Sequence, residues 1–529
     1  MVQKTSKIDV LIRGGTLVDG TGSVPVTGDI AIAGNKIVEV GSKIYAPRAN
    51  VIDADGAVVA PGWVDIHTHY DGQVTWDDTL DPSFSNGVTT FIMGNCGVGF
   101  APCRSGDEQA LMDVMEGVED IPGTALAEGV PWGAWHTFEQ YLDYIGQRNY
   151  SMDFGTQLPH SALRLQVMGE RAMNHEDATA DDIASMQALA ESATRAGALG
   201  FSTSRTVFHR NIDGNAIPGT YASADELIAI AQGIAEGGGA VIEAISSSSI
   251  GDMVASRQIG LLSGLTGYHG FMNRGVYIDE LAFLPLSERV QRMRDPEMKR
   301  RVLADVDRNV QNAGSMAALA NVFLLNAEKL YPLCDGFDYE PTSDESLGAR
   351  ASRTGKVIDE VLYDYLIENE GTGFAAILSA NYIEGNLDVV REMLAHPETV
   401  TGLADAGAHV NLICDGSMPT TQLKHWAGGR TRGEAFPIEF IVEKQTRRNA
   451  RLYGLKDRGT LEVGMRADLN VIDMSALSVA MPVSHRDLPA GGARLLQKTS
   501  GYEATLLNGI VTRRSDEDTG ARPGRLVRG

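Results

Sequence analysis

The sequence predicts an α/β protein whose long middle folds as repeated βα units, a parallel barrel or sheet, beside a smaller β domain assembled from both chain ends. Three observations carry this. Short apolar strands alternate with helical stretches through the middle, both ends consist of short β-rich runs, and a His-x-His pair follows a strand where the first texture gives way to the second.

At the N-terminal end, residues 10–12, 15–18, 29–32 and 36–40 are β-rich and are broken by Gly-Gly, Asp-Gly and Gly-Asn turn signals, as expected for hairpins of a small β-sandwich. The same texture returns at 459–464, 467–473 and 504–509. Residues 1–60 and 460–529 are therefore expected to form one composite β-sandwich domain, with residues 61–459 inserted as the catalytic domain. In that middle the candidate strands are 88–93, 152–158, 199–203, 240–245, 374–380 and 401–403, and helices are expected at 180–197, 223–237 and 387–396. Residues 284–312, rich in Arg, Glu and Asp and opening on Pro285-Leu286-Ser287-Glu288, read as a solvated helical face or lid.

Composition narrows the class. The chain has 529 residues, 43% hydrophobic and 22% charged, which is ordinary for a globular protein and long enough for one large domain and a small one. A formal net charge of -24 repels nucleic acid and anionic membrane surfaces, so neither is expected as a partner. Four cysteines (Cys96, Cys103, Cys334 and Cys414) are too few and scattered for a disulfide framework and form no CxxC pair. With no apolar segment at the N-terminus and no run of roughly 18 apolar residues, the expected setting is the reducing cytoplasm.

The chemistry concentrates at a few strand ends. Residues 57–60, Val64 and Ile66 read as strand with Pro61-Gly62 as the corner between two sheets, and side chains two apart on a strand share a face, so His67 and His69 can converge on one metal ion. Alternating histidines also arise on ordinary core or surface strands. Cys96 follows the apolar run Thr89-Thr90-Phe91-Ile92-Met93 in a Gly-rich turn, where barrel enzymes place active-site residues; a thiolate there suits zinc, while a buried structural cysteine is the plain alternative. Asp405, in Gly402-Leu403-Ala404-Asp405-Ala406-Gly407, can take a proton from a metal-activated water and return it to a leaving amine, or can form an Asx turn. His409 either supports the site or caps the turn. Arg205 offers a bidentate clamp for a substrate carboxylate or a surface salt bridge, and Trp426 lines a pocket or packs.

The elements Pro61-Gly62-Trp63-Val64-Asp65-Ile66-His67-Thr68-His69, Thr89 through Gly97, Gly200-Phe201-Ser202-Thr203-Ser204, the Asp405 segment and the closing stretch from Arg451 to Asp468 together resemble the amidohydrolase superfamily. Within it they resemble the N-acyl-D-amino-acid deacylase branch, and the likeness runs through most of the chain. The resemblance implies a distorted (β/α)8 TIM-like barrel plus a small β-sandwich from both chain ends. It also implies zinc-dependent hydrolysis of an amide bond, with His67 and His69 as ligands from the first strand, Cys96 from the second, and Asp405 as ligand and acid/base from the eighth.

Two features refine that expectation. Many binuclear members bridge their metals with a carboxylated lysine from an early strand, but no lysine lies between Lys43 and Lys299, which makes Cys96 the natural bridge. The branch also supplies one histidine each from the fifth and sixth strands, whereas here Glu243 stands in the fifth candidate strand, and the stretch from Ile245 to Leu261 leaves little room for a full βα unit. Glu243, His269, His209 and His409 are the remaining candidates for metal contact or for support of the ligands. The expected function is deacylation of N-acyl (D-)amino acids by water activated on one or two Zn2+ ions, with a small-molecule amide as substrate and self-association into a homo-oligomer left open. Hydrolysis of cyclic amides or of xenobiotic amides, carbamates or esters uses the same chemistry, and a non-catalytic barrel scaffold with a degenerate metal site is the alternative from another class.

Overall fold

The computed structural model describes residues 7–245, 257–259, 266–268, 271, 274–282, 284–305, 329–333, 337–372, 374–378, 382, 384–402, 404–410 and 415–529. His269, Cys334 and Cys414 lie outside the described residues.

The N-terminal hairpins form as the turn signals require. Strands β1 (Val10–Leu17), β2 (Val26–Ala33) and β3 (Lys36–Gly41) run antiparallel, and a bulge between Ile12 and Gly15 joins the two runs read separately in the sequence into one strand. Strands β4 (Asn50–Asp53) and β5 (Val58–Pro61) then lie parallel to β1. Gly62 turns the chain from β5 into β6 (Trp63–Asp65), the first strand of a different sheet; a Cβ on Gly62 would meet Thr89 Oγ1 at 2.1 Å, so the corner needs glycine.

From β6 the chain builds β7 (Val88–Met93), β8 (Asp153–Pro159), β9 (Gly200–Ser204) and β10 (Val241–Ile245), five parallel strands in sequence order. The crossover helices are punctuated as their sequences demand. Thr179 and Asp182 make a reciprocal capping box at the start of the helix Ala180–Ala196, which Gly197 ends in the left-handed region, and Ser223 caps the helix Ala224–Glu236. Farther on, β11 (Arg257–Ile259) runs parallel beside β15 (Thr399–Thr401), so a strand occupies the end of the stretch before Leu261 that leaves little room for a full βα unit. The segment following β15 returns to the first strand. Thr68 and Ala406 form a parallel bridge, the His69 N–H donates to the Ala406 carbonyl at 2.8 Å, and the Thr68 N–H donates to Ile92 at 3.1 Å. Among the described residues this places the first, second and last strand segments side by side at the level of the histidines.

Between β11 and β15 the chain makes an excursion. Strands β12 (Thr266–Tyr268) and β13 (Leu330–Leu333) flank β14 (Phe374–Ile377), all antiparallel. The strand read at 374–380 is therefore present but belongs to this satellite sheet, not to the parallel one. A short apolar run is the same in either setting, and only its partners distinguish them. Nor is 284–312 merely a solvated face: the helices Leu286–Met293 and Pro296–Ala304 bury Val290, Met293, Met298 and Val302, and Met293, Met298 and Val302 join Phe271, Tyr277 and Tyr363 in a separate hydrophobic cluster.

Both chain ends share one nine-stranded sheet. Strand β16 (Leu469–Ile472) pairs with β5 on one side and β19 (Tyr502–Leu507) on the other, and β20 (Ile510–Arg514) and β21 (Glu517–Asp518) extend the edge. The intervening hairpin β17–β18 (Ser478–His485 and Arg494–Ser500) forms its own two-stranded sheet and reaches the segment beyond β15, where the Leu495 N–H donates to the Val410 carbonyl. The last residues also return, and Phe154 of β8 exchanges backbone hydrogen bonds with Arg525 and Val527.

A buried ionic cluster fastens these parts. Asp153 of β8, 2% exposed, accepts from Arg458 at 2.9 Å, from Arg466, and from the Arg525 N–H at 2.9 Å. Removing the carboxylate strands buried guanidinium charge, so Asp153→Asn should lower the unfolding free energy by about 3 kcal/mol. Lys356→Ala, which breaks the more exposed pair with Asp364, should change it by about 0.5 kcal/mol or less. Denaturant titration of the two variants measures the contrast, and equal losses would contradict it.

Candidate metal centre

The site forms where strand ends meet. His67 and His69 follow β6, are fully buried, and with Cys96 make the one group of three among the described residues whose ligand atoms all lie within 4.8 Å of one another. His67 Nε2 is 3.3 Å from Cys96 Sγ and 3.3 Å from Asp405 Oδ1, and His69 Nε2 is 3.6 Å from the same Asp405 oxygen. The four residues read as one centre in the sequence are thus brought together.

The turn bearing Cys96 is held from three sides. The Ser202 hydroxyl on β9 donates to the Gly94 carbonyl and accepts from the Gly97 N–H at 2.9 Å. Asn95 Nδ2 donates to Thr68 and Ile92 at 3.0 Å each, and Gln157 on β8 donates to Asn95 Oδ1 at 2.6 Å. Cys96 itself has φ 55°, Asp405 φ 46° and His409 φ 51°, three non-glycine residues in the left-handed region at one site. Beside them Gly407, at φ 95°, passes so close to the first strand that a Cβ would lie 2.9 Å from the His69 carbonyl.

Glu243 joins the centre from β10. It is the buried residue of a strand whose neighbour Ile242 is 48% exposed, an inversion of the usual apolar-in pattern. Its Oε1 is 3.5 Å from His67 Nδ1, and its Oε2 accepts from Gln157 at 3.1 Å. A carboxylate at Nδ1 leaves Nε2 directed at Cys96 and Asp405, the arrangement that orients a metal-binding imidazole.

Glu119 was not singled out from the sequence. It ends the helix Glu108–Glu119 at 1% exposure, with Oε2 3.4 Å from His69 Nε2 and 3.5 Å from His409 Nε2. The signal that could have found it is its place on the apolar stripe Leu111, Met115, Val118, Glu119, spaced i, i+4, i+7, i+8.

The other candidates divide. Burial, then the His409 and His69 rings, push the His209 imidazole down to about 3. Arg205 Nη1 donates to the carbonyls of Gly219, at 3.3 Å, and Ala222, which ties the guanidinium to its own loop. Trp426 packs: it is 1% exposed, with the Arg430 guanidinium 5.1 Å over its ring.

Electrostatics set the centre apart. Burial pushes the Glu119 carboxyl up to about 8 and that of Glu243 up to about 7. Burial also acts on Asp405, but His69 and His67 overrule it and hold that carboxyl well below the usual range. Burial drives the Cys96 thiol far upward, with Glu119 and Glu243 adding to it. A thiol in so acidic a cavity ionises only beside a cation. The donors suit zinc. Nitrogen and oxygen ligands at about 2.0–2.1 Å from a tetrahedral ion stand roughly 3.3 Å apart, close to the 3.3–3.6 Å seen here, and both ring nitrogens of His69 lack a hydrogen-bond partner.

Comparison with known proteins agrees. The chain is 27% identical over 531 residues to the D-aminoacylase of Alcaligenes xylosoxydans xylosoxydans, covering 98% of this chain and 97% of that protein. It is 26% identical to the N-acyl-D-aspartate deacylase of the same organism, covering 99% and 95%. Among solved structures, a D-aminoacylase superposes with TM-score 0.60 at 22% identity over 99% of this chain and 100% of that one. The N-acyl-D-glutamate deacylase of Bordetella bronchiseptica, complexed with zinc and a phosphonate inhibitor, superposes with TM-score 0.57 at 21% identity over the same shares. The model of the amidohydrolase family matches residues 50–512, and the chain belongs to that family.

Proposed function

We propose that the protein is a zinc-dependent deacylase of N-acyl-D-amino acids, working in the cytoplasm, with His67, His69, Cys96 and Asp405 as the metal-binding set. The observation that carries this reading is the convergence of Cys96 Sγ and Asp405 Oδ1 on His67 Nε2, each at 3.3 Å, at one end of the parallel strands. The full-length likeness to three deacylases of N-acyl-D-amino acids, including an N-acyl-D-glutamate deacylase at 25% identity, supports the substrate class.

His67, His69, Cys96 and Asp405 would hold a zinc ion, which would supply Lewis acidity for a bound water and for the scissile carbonyl. The protein's own groups do the rest. Asp405 takes the proton of the attacking water at a carboxylate oxygen and passes it to the amine nitrogen as the C–N bond breaks. Glu243 holds the His67 ring in orientation, and Ser202, Asn95 and Gln157 hold the Cys96 turn. Beside Asp405 a cleft walled by Pro82, Val410, Leu495 and Leu496 offers apolar surface for the acyl group or the amino-acid side chain.

Three outcomes test the reading. Metal-loaded protein incubated with paired N-acyl-D- and N-acyl-L-amino acids should release free amino acid from the D series, and inactivity on every member would overturn the assignment. Asp405→Asn should lower kcat/KM by about 10²–10⁴-fold while the circular dichroism spectrum stays unchanged; full activity would remove Asp405 from the mechanism. Cys96→Ser should lower bound zinc per chain, read by elemental analysis, and unaltered zinc content would remove Cys96 from the ligand set.

A further inference from the structure

We infer that the cleft beside Asp405 receives the side chain of the amino acid being released, and that its wall, supplied by the β17–β18 hairpin, selects apolar side chains such as those of leucine and methionine over those of aspartate and glutamate. The inference rests on the deacylase reading above and adds which half of the substrate, and which members of its class, the cleft takes.

The chemistry orients the substrate. A carboxylate that returns a proton to the amine nitrogen stands on the leaving-group side of the scissile bond, so the amino-acid half lies towards Asp405 and the acyl half away from it. The exposures agree. The His67 and His69 side chains are sealed, whereas that of Asp405 is 21% exposed, and Asp405 is the member of the metal-binding set that lines the cleft. A substituent on the carbon next to the amine therefore enters the space between the segment after β15 and the hairpin.

That space offers apolar surface and no free charge. Pro82, Val410, Leu495 and Leu496 wall it, and among the described residues that line it Arg494 is the one cation. Its guanidinium is already engaged: Nε and Nη2 donate to the two carboxylate oxygens of Asp487 at 2.8 and 2.9 Å, and Nη1 donates to the Asp81 carbonyl at 2.8 Å. Gln497 is engaged too, accepting from the Ser417 hydroxyl at 2.9 Å and donating to the Ala480 carbonyl at 3.0 Å. A side-chain carboxylate brought here would leave water, approach Asp405 and meet no unengaged cation. A branched or thioether side chain would exchange water for leucine and valine surface.

The wall is held in place. The Leu495 N–H donates to the Val410 carbonyl at 2.6 Å, Arg494 ties the same strand to Asp81, and the Thr499 hydroxyl donates to the Ser85 carbonyl. These attachments along β18 fix it against the segments that follow β6 and β15, so the leucines are kept from swinging aside to admit a charged group with its water.

The test compares substrates on one enzyme. Zinc-loaded full-length protein is assayed on the N-acetyl derivatives of D-leucine, D-methionine, D-aspartate and D-glutamate, with the released amino acid measured by mass spectrometry. For the wild type, kcat/KM on the leucine and methionine derivatives should exceed that on the aspartate and glutamate derivatives by about 100-fold or more. Leu495→Arg and Leu496→Arg, made singly, add a guanidinium to the wall. Successive strand residues face opposite sides, so one of the two variants should lower the leucine-to-aspartate ratio by about 10-fold or more. The ratio is read within each protein, so a smaller folded fraction does not shift it, and the wild-type profile decides the matter should both variants fail to fold. Comparable or faster hydrolysis of the acidic substrates by the wild type, or a ratio unchanged in both folded variants, overturns the inference and leaves the deacylase reading standing. Inactivity on every substrate overturns the deacylase reading and the inference with it.

Discussion

The site depends on the register in which the last strand segment meets the first. The bridge between Thr68 and Ala406, with the His69 N–H on the Ala406 carbonyl, sets His67 and His69 on the same face as Asp405. Side chains alternate along a strand, so a slip of one residue would turn both imidazoles away from the aspartate together. Gly407 guards that register, because its approach to the His69 carbonyl admits no side chain. Everything chemical in the protein follows from two segments more than 300 residues apart in sequence being held side by side by a few backbone hydrogen bonds.

Those bonds also hold strain. Cys96, Asp405 and His409 each adopt a left-handed backbone that costs of order 1–3 kcal/mol for a residue other than glycine. Such conformations persist only where the surroundings determine them. At Cys96 the determinants are the Ser202 hydroxyl, the Asn95 amide and Gln157 behind it; at His409 the determinant is the carbonyl of Glu119. The thiol and the carboxylate therefore reach the cavity from sharp turns just beyond strands, and a ligand set of widely separated residues is in place before anything binds.

How much of this could be read in the chain depended on whether a feature was local. The first strand pair announced itself, because His-x-His on a strand has a geometric meaning that needs no partner. Cys96 and Asp405 were legible as residues just past apolar strands, and the helices Ala180–Ala196 and Ala224–Glu236 as helical stretches between candidate strands. Glu243 was visible only as an oddity, a carboxylate where a histidine was wanted. Glu119 was not visible at all, since a glutamate near a helix end is ordinarily solvated and its burial is decided by His69 and His409, which come from elsewhere. The same limit explains 374–380: its residues specify a strand, but whether it pairs in parallel or antiparallel fashion belongs to the segments beside it. The hairpin β17–β18 likewise reads as part of a β domain, and only the fold carries Leu495 and Leu496 to the rim beside Asp405.

The distribution of buried negative charge separates structure from function. Three buried carboxylates elsewhere in the molecule are neutralised by arginine: Asp153 has Arg458 and Arg466, Glu226 has Arg164, and Glu340 has Arg430. Even the His160–Glu226 pair, which with Thr203 at 2.8 Å from the ring has the outline of a nucleophile and its base, is completed by Arg164, and its members are sealed from solvent. That constellation acts as a strut between β9 and the helices Ala224–Glu236 and His160–Met168. In the cavity the partners differ. Asp405 and Glu119 face imidazoles, and Glu243 faces the His67 ring and the Gln157 amide, with no arginine or lysine ion pair to any of the three among the described residues. A fold that supplies guanidinium counter-charge at three other buried carboxylates and withholds it at these three has left the neutralising charge to be brought from outside. Cations that bind imidazole, thiolate and carboxylate together are divalent transition metals, of which zinc matches this mixture of donors without demanding a redox role.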